Sequence, residues 1–482
     1  MRAKRIFQAA PLVAVALLAS ACDKGLTDVN VNPNQPEVVR PEHLFPQAVT
    51  SAVNLVRGSG FDMTFTGLWA QHYAKISYVD EDRYEIRPTT IDGWWSNFYS
   101  GGLMDLQKTI EFANGEAGGV APAMVMQSWT FAQMTDIWGD IPYSDALKGD
   151  QKDGALTPKY DTQKVVYDGI LKSLVDASTK LGGARNTLGG ADPIYSGSPA
   201  KWQKFANSLR ARYGMRLSEV DPAKAQAEVK AAFAAGVFTG NADNAVLEWP
   251  GDGSSDHPFY TFYRGRPGDH RVSATMVDTL KHLNDPRLPV YARMPTDETV
   301  THYAGVPNGL SDDAAKALGN AKTSMIGLFF SSANSASYLM TYSEVLFIQA
   351  EAVARGWLSG DAEALYKQAI TANMQVYGIK QADIDAYLAQ PRVQYNPATG
   401  RQQIALQKWI SLFGQGTEAY AEVRRTNTPV LIGGPTAITP NQAFATRLTY
   451  PLAEQSTNNA NLTAAMSAQG NVSLVGKVWW DK

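Results

Sequence analysis

Between Trp249 and Arg271 the sequence interleaves aromatic rings with hydrogen-bonding side chains: Trp249, Asp252, His257, Phe259, Tyr260, Phe262, Tyr263, Arg264, Arg266 and Asp269. An aromatic face packs well against the C–H face of a sugar ring, while flanking Asp, His and Arg groups fix its hydroxyls. The segment therefore reads as a ligand loop, with Trp249, Asp252, His257, Tyr260, Tyr263 and Arg264 as its contacts. Tyr303 and Asn308, in a later Gly- and Pro-rich turn, extend the candidate set. The competing reading is an ordinary surface loop whose aromatics pin it to a scaffold.

Chemistry that would transform a ligand has less support. Asp140, within Trp138-Gly139-Asp140-Ile141-Pro142-Tyr143, could join Asp80 or Asp82 as a carboxyl pair for glycoside hydrolysis. That reaction needs two carboxyls roughly 5–9 Å apart across one bond, which a sequence does not reveal. Gly139 and Pro142 stand instead where a helix would stop. Asp80-Glu81-Asp82 offers oxygen ligands to a hard cation, but EF-hand spacing is missing and the run reads as solvated surface. The histidines at 43, 72, 257, 270, 282 and 302 never fall where two would share a helical face. Gly414-Gln415-Gly416 follows a helical stretch and lacks the last glycine of a phosphate loop. No nucleophile-elbow serine or Walker lysine occurs, and no catalytic residue, metal or cofactor is assigned; absent motifs do not by themselves exclude an enzyme, but they agree with the expectation of a binder and not an enzyme that the resemblance below brings.

The first residues speak to compartment. Arg2, Lys4 and Arg5 precede an apolar run from Ala9 to Leu18, a signal-peptide core too short to span a bilayer. Leu18-Ala19-Ser20-Ala21 then leads into Cys22, the sole cysteine. A lone cysteine forms no internal disulfide, and a buried inert thiol is its usual fate. Directly after a signal core, however, the string resembles a bacterial lipobox, with Ala19 where leucine is commoner. Cys22 is thus expected to be acylated, each buried CH₂ of its chains contributing about 0.8 kcal/mol of membrane affinity. Residues 1–21 become the cleaved leader, and the Asn- and Pro-rich stretch over 22–40 a tether. A net charge of −3, made more negative by loss of the basic leader, argues against nucleic acid as a partner.

Helical pairs must position the candidate loop. Thr341 and Glu344 form a capping-box pattern ahead of Val345, Leu346, Ile348, Ala352 and Val353, and Gly356 ends the run. Asp361 caps a second helix with Leu365, Ala369, Ala372 and Val376 on one face, closed by Gly378. An earlier pair places Val166, Ile170, Leu174, Ala177 and Leu181 on one face. Ser198-Pro199 then starts a helix with Trp202, Phe205, Leu209 and Tyr213 inward. Further helices are expected near 43–57, 62–76, 94–113, 121–136, 222–235 and 402–423. Trp94, Trp95, Phe98 and Tyr99 recur at helical spacing and read as core, as do Trp129, Phe131, Trp409 and Phe413. Small residues such as Ala350, Ala352, Ala354 and Ala369 allow close packing of the tetratricopeptide kind. The expectation is a mainly α single domain over 41–482, with helical pairs about 43–235 and 341–423 around a loop-rich segment at about 236–340. So long an irregular stretch inside a helical protein points to function.

Five separated strings go beyond composition: Met134–Leu147 (MTDIWGDIPYSDAL), Ala200–Arg210 (AKWQKFANSLR), Gln407–Gly416 (QKWISLFGQG), Arg447–Pro451 (RLTYP) and Val478–Lys482 (VWWDK). In this order, from about Asn32 to Lys482, the chain resembles the SusD/RagB family and its SusD-like outer-membrane lipoprotein branch. The resemblance implies a tetratricopeptide-like scaffold carrying an irregular ligand-binding half. It implies a lid on a SusC-type TonB-dependent transporter, handing over oligosaccharide or, in some branches, peptide. The expected place is the outer membrane, lipid-anchored and facing the exterior, although Asp23-Lys24 after Cys22 is not an obvious export signal. Two other readings stay open: a surface glycoside hydrolase, and a structural transporter accessory that touches no cargo.

Overall fold

Several helix starts in this chain are set by short polar side chains, two of them just ahead of proline. In the computed structural model, which describes residues 39–151 and 153–482, Ser198 accepts a hydrogen bond from the Lys201 N–H and Asp221 from the Lys224 N–H, each followed by proline in the first turn. Thr162 caps its helix in the same way through the Val165 N–H. These contacts satisfy amides that would otherwise lack a partner. The signal peptide, Cys22 and nearly all of the expected tether lie outside the described residues.

The first half runs α1 Pro41–Arg57, a π-helical turn at Ser59–Thr66, β1 Tyr73–Lys75, α2 Pro88–Asn97, α3 Met104–Phe112 and α4 Ala117–Trp138. The short strands β2 Ile141–Pro142 and β3 Tyr160–Asp161 pair antiparallel, and α5 Gln163–Leu181, α6 Pro199–Arg216 and α7 Pro222–Ala235 follow. Successive helices pack on one another, α4 on α5, α5 on α6 and α6 on α7. Trp94, Trp95, Phe98, Trp129 and Phe131 are buried in the core, as their spacing predicts. The helix expected over 62–76 is not formed as one piece. Gln71 takes a positive φ and residues 73–75 leave the helical course to pair antiparallel with a distant strand at 270–272.

The middle segment is more ordered than a loop. It contains β4 Ala245–Glu248, α8 Pro258–Gly265, β5 His270–Val272, α9 Ala274–His282 and β6 Ala336–Met340, besides short helices at Leu288–Tyr291, Asp312–Leu318 and Leu328–Ser331. β4 pairs antiparallel with β6, and β1 with β5. The segment 236–340 thus keeps long irregular stretches, yet two of the three small sheets among the described residues draw on it, each pairing strands far apart in sequence.

The second half consists of α10 Tyr342–Ala354, α11 Ala362–Val376, α12 Gln381–Leu388, α13 Gly400–Ser411, α14 Gly416–Thr426, α15 Leu452–Thr457 and α16 Asn459–Gln469. α10 and α11 form the expected hairpin, with Thr341 and Asp361 as caps. The single helix expected over 402–423 is interrupted between α13 and α14, where the Gly416 N–H is drawn to the buried Asp62 carboxylate. Glu344 also departs from its expected part in a capping box. Its carboxylate faces Arg212 of α6 at 2.5 Å, both side chains fully buried. Arg216 pairs with Glu418 at 2.6 Å, and Arg425 with Glu351 and Glu422, each at 2.6 Å. Buried charges persist only when paired, so this ladder joins the two halves of the scaffold. Residues 41–482 form one compact unit, and no described helix is long and apolar enough to cross a membrane.

Candidate ligand-binding site

Strand register brings the first aromatic into place. Leu247 of β4 lies opposite Ser337 of β6 and Glu248 opposite Ala336. Side chains alternate along a strand, so Trp249 falls on the same face as Ser337, and its Nε1–H donates to the Ser337 Oγ at 2.9 Å. A tight turn follows. The Asp252 Oδ1 accepts from the Ser254 and Ser255 N–H groups and from the Ser254 hydroxyl. Gly251, at φ +67°, leaves no room for a Cβ beside the Asn334 backbone. Asp252 is thus exposed but engaged in building its own turn.

The eight residues of α8 divide the remaining candidates by helical phase. Phe259 and Tyr263 point inward, 2% and 6% exposed, and the Tyr263 hydroxyl donates to the His270 carbonyl. Tyr260 is half-buried and Arg264 exposed, with the guanidinium 5.8 Å from the Tyr260 ring centre. His257 is buried and caps the helix, its Nδ1 accepting from the Phe259 N–H. The structure therefore keeps Trp249, Tyr260 and Arg264 at the surface of this unit, whereas His257 and Tyr263 are taken up by the fold. Arg266, not in the predicted set, stacks on Tyr78 at 4.7 Å and on Phe262 at 5.9 Å, and pairs with Asp269 at 2.8 Å. Tyr78 is 63% exposed and sits in a stretch with no local sequence signal for ligand contact.

Asn308 also proves internal. Its Nδ2 donates to the Tyr73 carbonyl at 2.8 Å and to the Asp82 Oδ1 at 2.6 Å, and its Oδ1 accepts from the Ser273 hydroxyl. Asp82 is 2% exposed, so the acidic run at 80–82 is not all solvated surface; Glu81 pairs with Lys75 at 2.5 Å. Tyr303 is half-buried on the neighbouring segment, and among the described residues no ring contact or hydrogen bond joins its side chain to α8. Asp140, the candidate acid, accepts from the Gln163 N–H at 2.8 Å and so holds the start of α5.

Burial pushes the Asp82 carboxyl up to about 7, opposed by the Asn308 amide and by the Lys75 and Gly309 N–H groups, which favour the charged form. Asp62 is likewise raised by burial, to about 6. A folded-state value above the ordinary 3.8 means that the contribution to stability is fully present below about pH 4 and is lost as pH rises through about 7. Urea unfolding at pH 5 and pH 8 is expected to give a smaller loss of stability with pH in Asp82→Asn than in the parent chain. An identical loss in both would refute this assignment.

One further loop is anchored to residues 71, 83 and 309. The Gln71 side-chain amide donates to the Ile432 carbonyl, the Ile438 N–H to the Arg83 carbonyl and the Thr436 N–H to the Gly309 carbonyl. Gly309 and Gly434, both at positive φ, let the two backbones approach where a Cβ would collide. Val430, Ile432 and Ile438 remain 74%, 62% and 52% exposed on this anchored loop, an apolar cluster that sequence reading did not single out.

The model of a SusD-like family described as starch-binding and associating with the outer membrane matches residues 33–451. Among solved structures, a chitin-binding protein is 29% identical, with a TM-score of 0.80 over 90% of this chain and 99% of that one. A SusD homologue from Bacteroides fragilis is 25% identical, with a TM-score of 0.78 over 92% and 100% of the two chains. A chitin-binding SusD homologue from Flavobacterium johnsoniae, 24% identical, shares the fold with a TM-score of 0.80 over 92% and 98%. No curated protein matches the chain. The family match spans most of the sequence and the helical architecture is that of these neighbours, so the chain belongs to the SusD-like family of starch-binding proteins associating with the outer membrane.

Proposed function

We propose that this protein is a lipid-anchored, exterior-facing outer-membrane lipoprotein that captures an oligosaccharide and delivers it unaltered to a SusC-type TonB-dependent transporter. The observation that carries the reading is that Trp249 meets the ring of His257, the cap of α8, while Tyr260 and Arg264 stand together on the outward face of that helix over the buried Phe259 and Tyr263. Apolar ring faces beside hydrogen-bonding groups suit a sugar. The family's description and the chitin-binding relative at 29% identity favour oligosaccharide over peptide, with chitin fragments tried first. Acylation of Cys22 would supply the anchor. The exposed Val430, Ile432 and Ile438, on a loop tied to Gln71, Arg83 and Gly309, suit docking to the transporter.

Calorimetric titration of the purified chain against chitin, starch and peptide oligomers is the direct experiment. Binding to a glycan without release of shorter products is expected. Steady product formation by a clean preparation, or binding to peptides alone, would overturn the reading. Ile432→Asp with Ile438→Asp is expected to abolish co-purification with the transporter while glycan affinity stays unchanged; retained co-purification would remove this loop from the interface.

A further inference from the structure

We propose that Ser337 and His257 are positioning residues that lock the Trp249 ring in register with α8. The inference rests on the reading of Trp249, Tyr260 and Arg264 as one ligand face. Neither residue offers a surface of its own, being 3% and 4% exposed; each acts through Trp249.

The hydrogen-bond directions follow from the donors present. His257 Nδ1 accepts from the Phe259 N–H at 3.2 Å, so in the neutral ring the proton is on Nε2. Burial keeps that ring neutral, its pKa lowered to about 3. Nε2 lies 3.4 Å from the Ser337 Oγ and donates to it. The same oxygen accepts the Trp249 Nε1–H at 2.9 Å. One hydroxyl oxygen thus receives the indole of Trp249 on one side and the cap of α8 on the other.

The backbone clamps the same three segments. The His257 N–H donates to the Ala333 carbonyl at 2.7 Å, and the Gly251 N–H to the Ser255 carbonyl at 3.2 Å. The Trp249 ring also meets the His257 ring edge-on, centroids 6.1 Å apart. An indole that rotates freely about its side-chain bonds must be ordered when a sugar stacks on it, which costs affinity. Ser337 removes that cost in advance and, through His257, ties the indole to the start of the helix that carries Tyr260 and Arg264.

The full chain in detergent is titrated with a chitin hexasaccharide in five forms: parent, Trp249→Ala, Ser337→Ala, Ser337→Cys and Ser337→Thr. Trp249 emission is taken as the difference between each form and the same form carrying Trp249→Phe. Ser337→Ala is expected to weaken binding roughly tenfold, about 1.4 kcal/mol, and to shift Trp249 emission to longer wavelength. Ser337→Thr, which keeps the hydroxyl, restores both. Ser337→Cys fills the same volume with a poor acceptor and behaves like the alanine form, which keeps the test decisive should Ser337→Ala fail to fold. If Trp249→Ala loses binding while the Ser337 forms bind and emit as the parent does, the positioning role is overturned and the ligand face stands. If Trp249→Ala binds as the parent does, the ligand face itself is wrong and the proposal falls with it.

Discussion

Tyr260→Ala is expected to weaken glycan binding by roughly thirtyfold and to leave unfolding stability nearly unchanged. The ring stands on the outer face of α8, half-buried, with the Arg264 guanidinium 5.8 Å from its centre. That stacking holds both groups in place before a ligand arrives. An aromatic anchor of this kind contributes about 2 kcal/mol or more to binding, while surface substitutions away from packed features shift stability by about 0.5 kcal/mol or less. Tyr263→Ala, three residues on, should behave in the opposite sense. Its ring is buried and its hydroxyl donates to the His270 carbonyl at 3.1 Å, so the substitution should cost about 3–5 kcal/mol of stability. Titration calorimetry and urea unfolding of the two variants separate the roles. Unaltered affinity in Tyr260→Ala would move the ligand face away from α8.

That contrast marks how far the sequence could be read. Composition singled out Trp249–Arg271, because aromatics and hydrogen-bonding groups concentrate there. It did not say which side chains face outward, since that depends on the phase of an eight-residue helix and on His257 serving as its cap. Helix ends were legible where the chemistry is local: Ser198-Pro199 and Asp361 both cap the helices assigned to them. The course of residues 62–76 was not, because β1 exists only through pairing with residues 270–272. Asp82 was misplaced on the surface for the same reason. Its burial depends on Asn308, far away in sequence, whose amide also binds the Tyr73 carbonyl. Tyr78 and Arg266 became a pair only once those distant segments were brought together.

A buried ion pair that no local pattern foretold should be as costly to break as the Tyr263 packing. Glu344→Ala is expected to destabilise the protein by about 3–5 kcal/mol, because it strands the Arg212 guanidinium in a site where both side chains are fully buried. Arg212 retains Glu418 at 3.6 Å, and Glu418 is already held by Arg216 at 2.6 Å, so compensation is partial. Arg212→Met with Glu344→Leu removes both charges and keeps most of the volume, and its cost should fall well below the sum of the single changes. Urea midpoints of the two single variants and the double variant measure the coupling, and simple additivity would show that the pair does not act as a unit. The consequence reaches the ligand face through one bond. Arg212 Nη2 also donates to the Leu339 carbonyl at 3.0 Å, in the strand that carries Ser337 beneath Trp249. Loosening the scaffold ladder should therefore weaken glycan binding even though Glu344 lies in the core and touches no ligand.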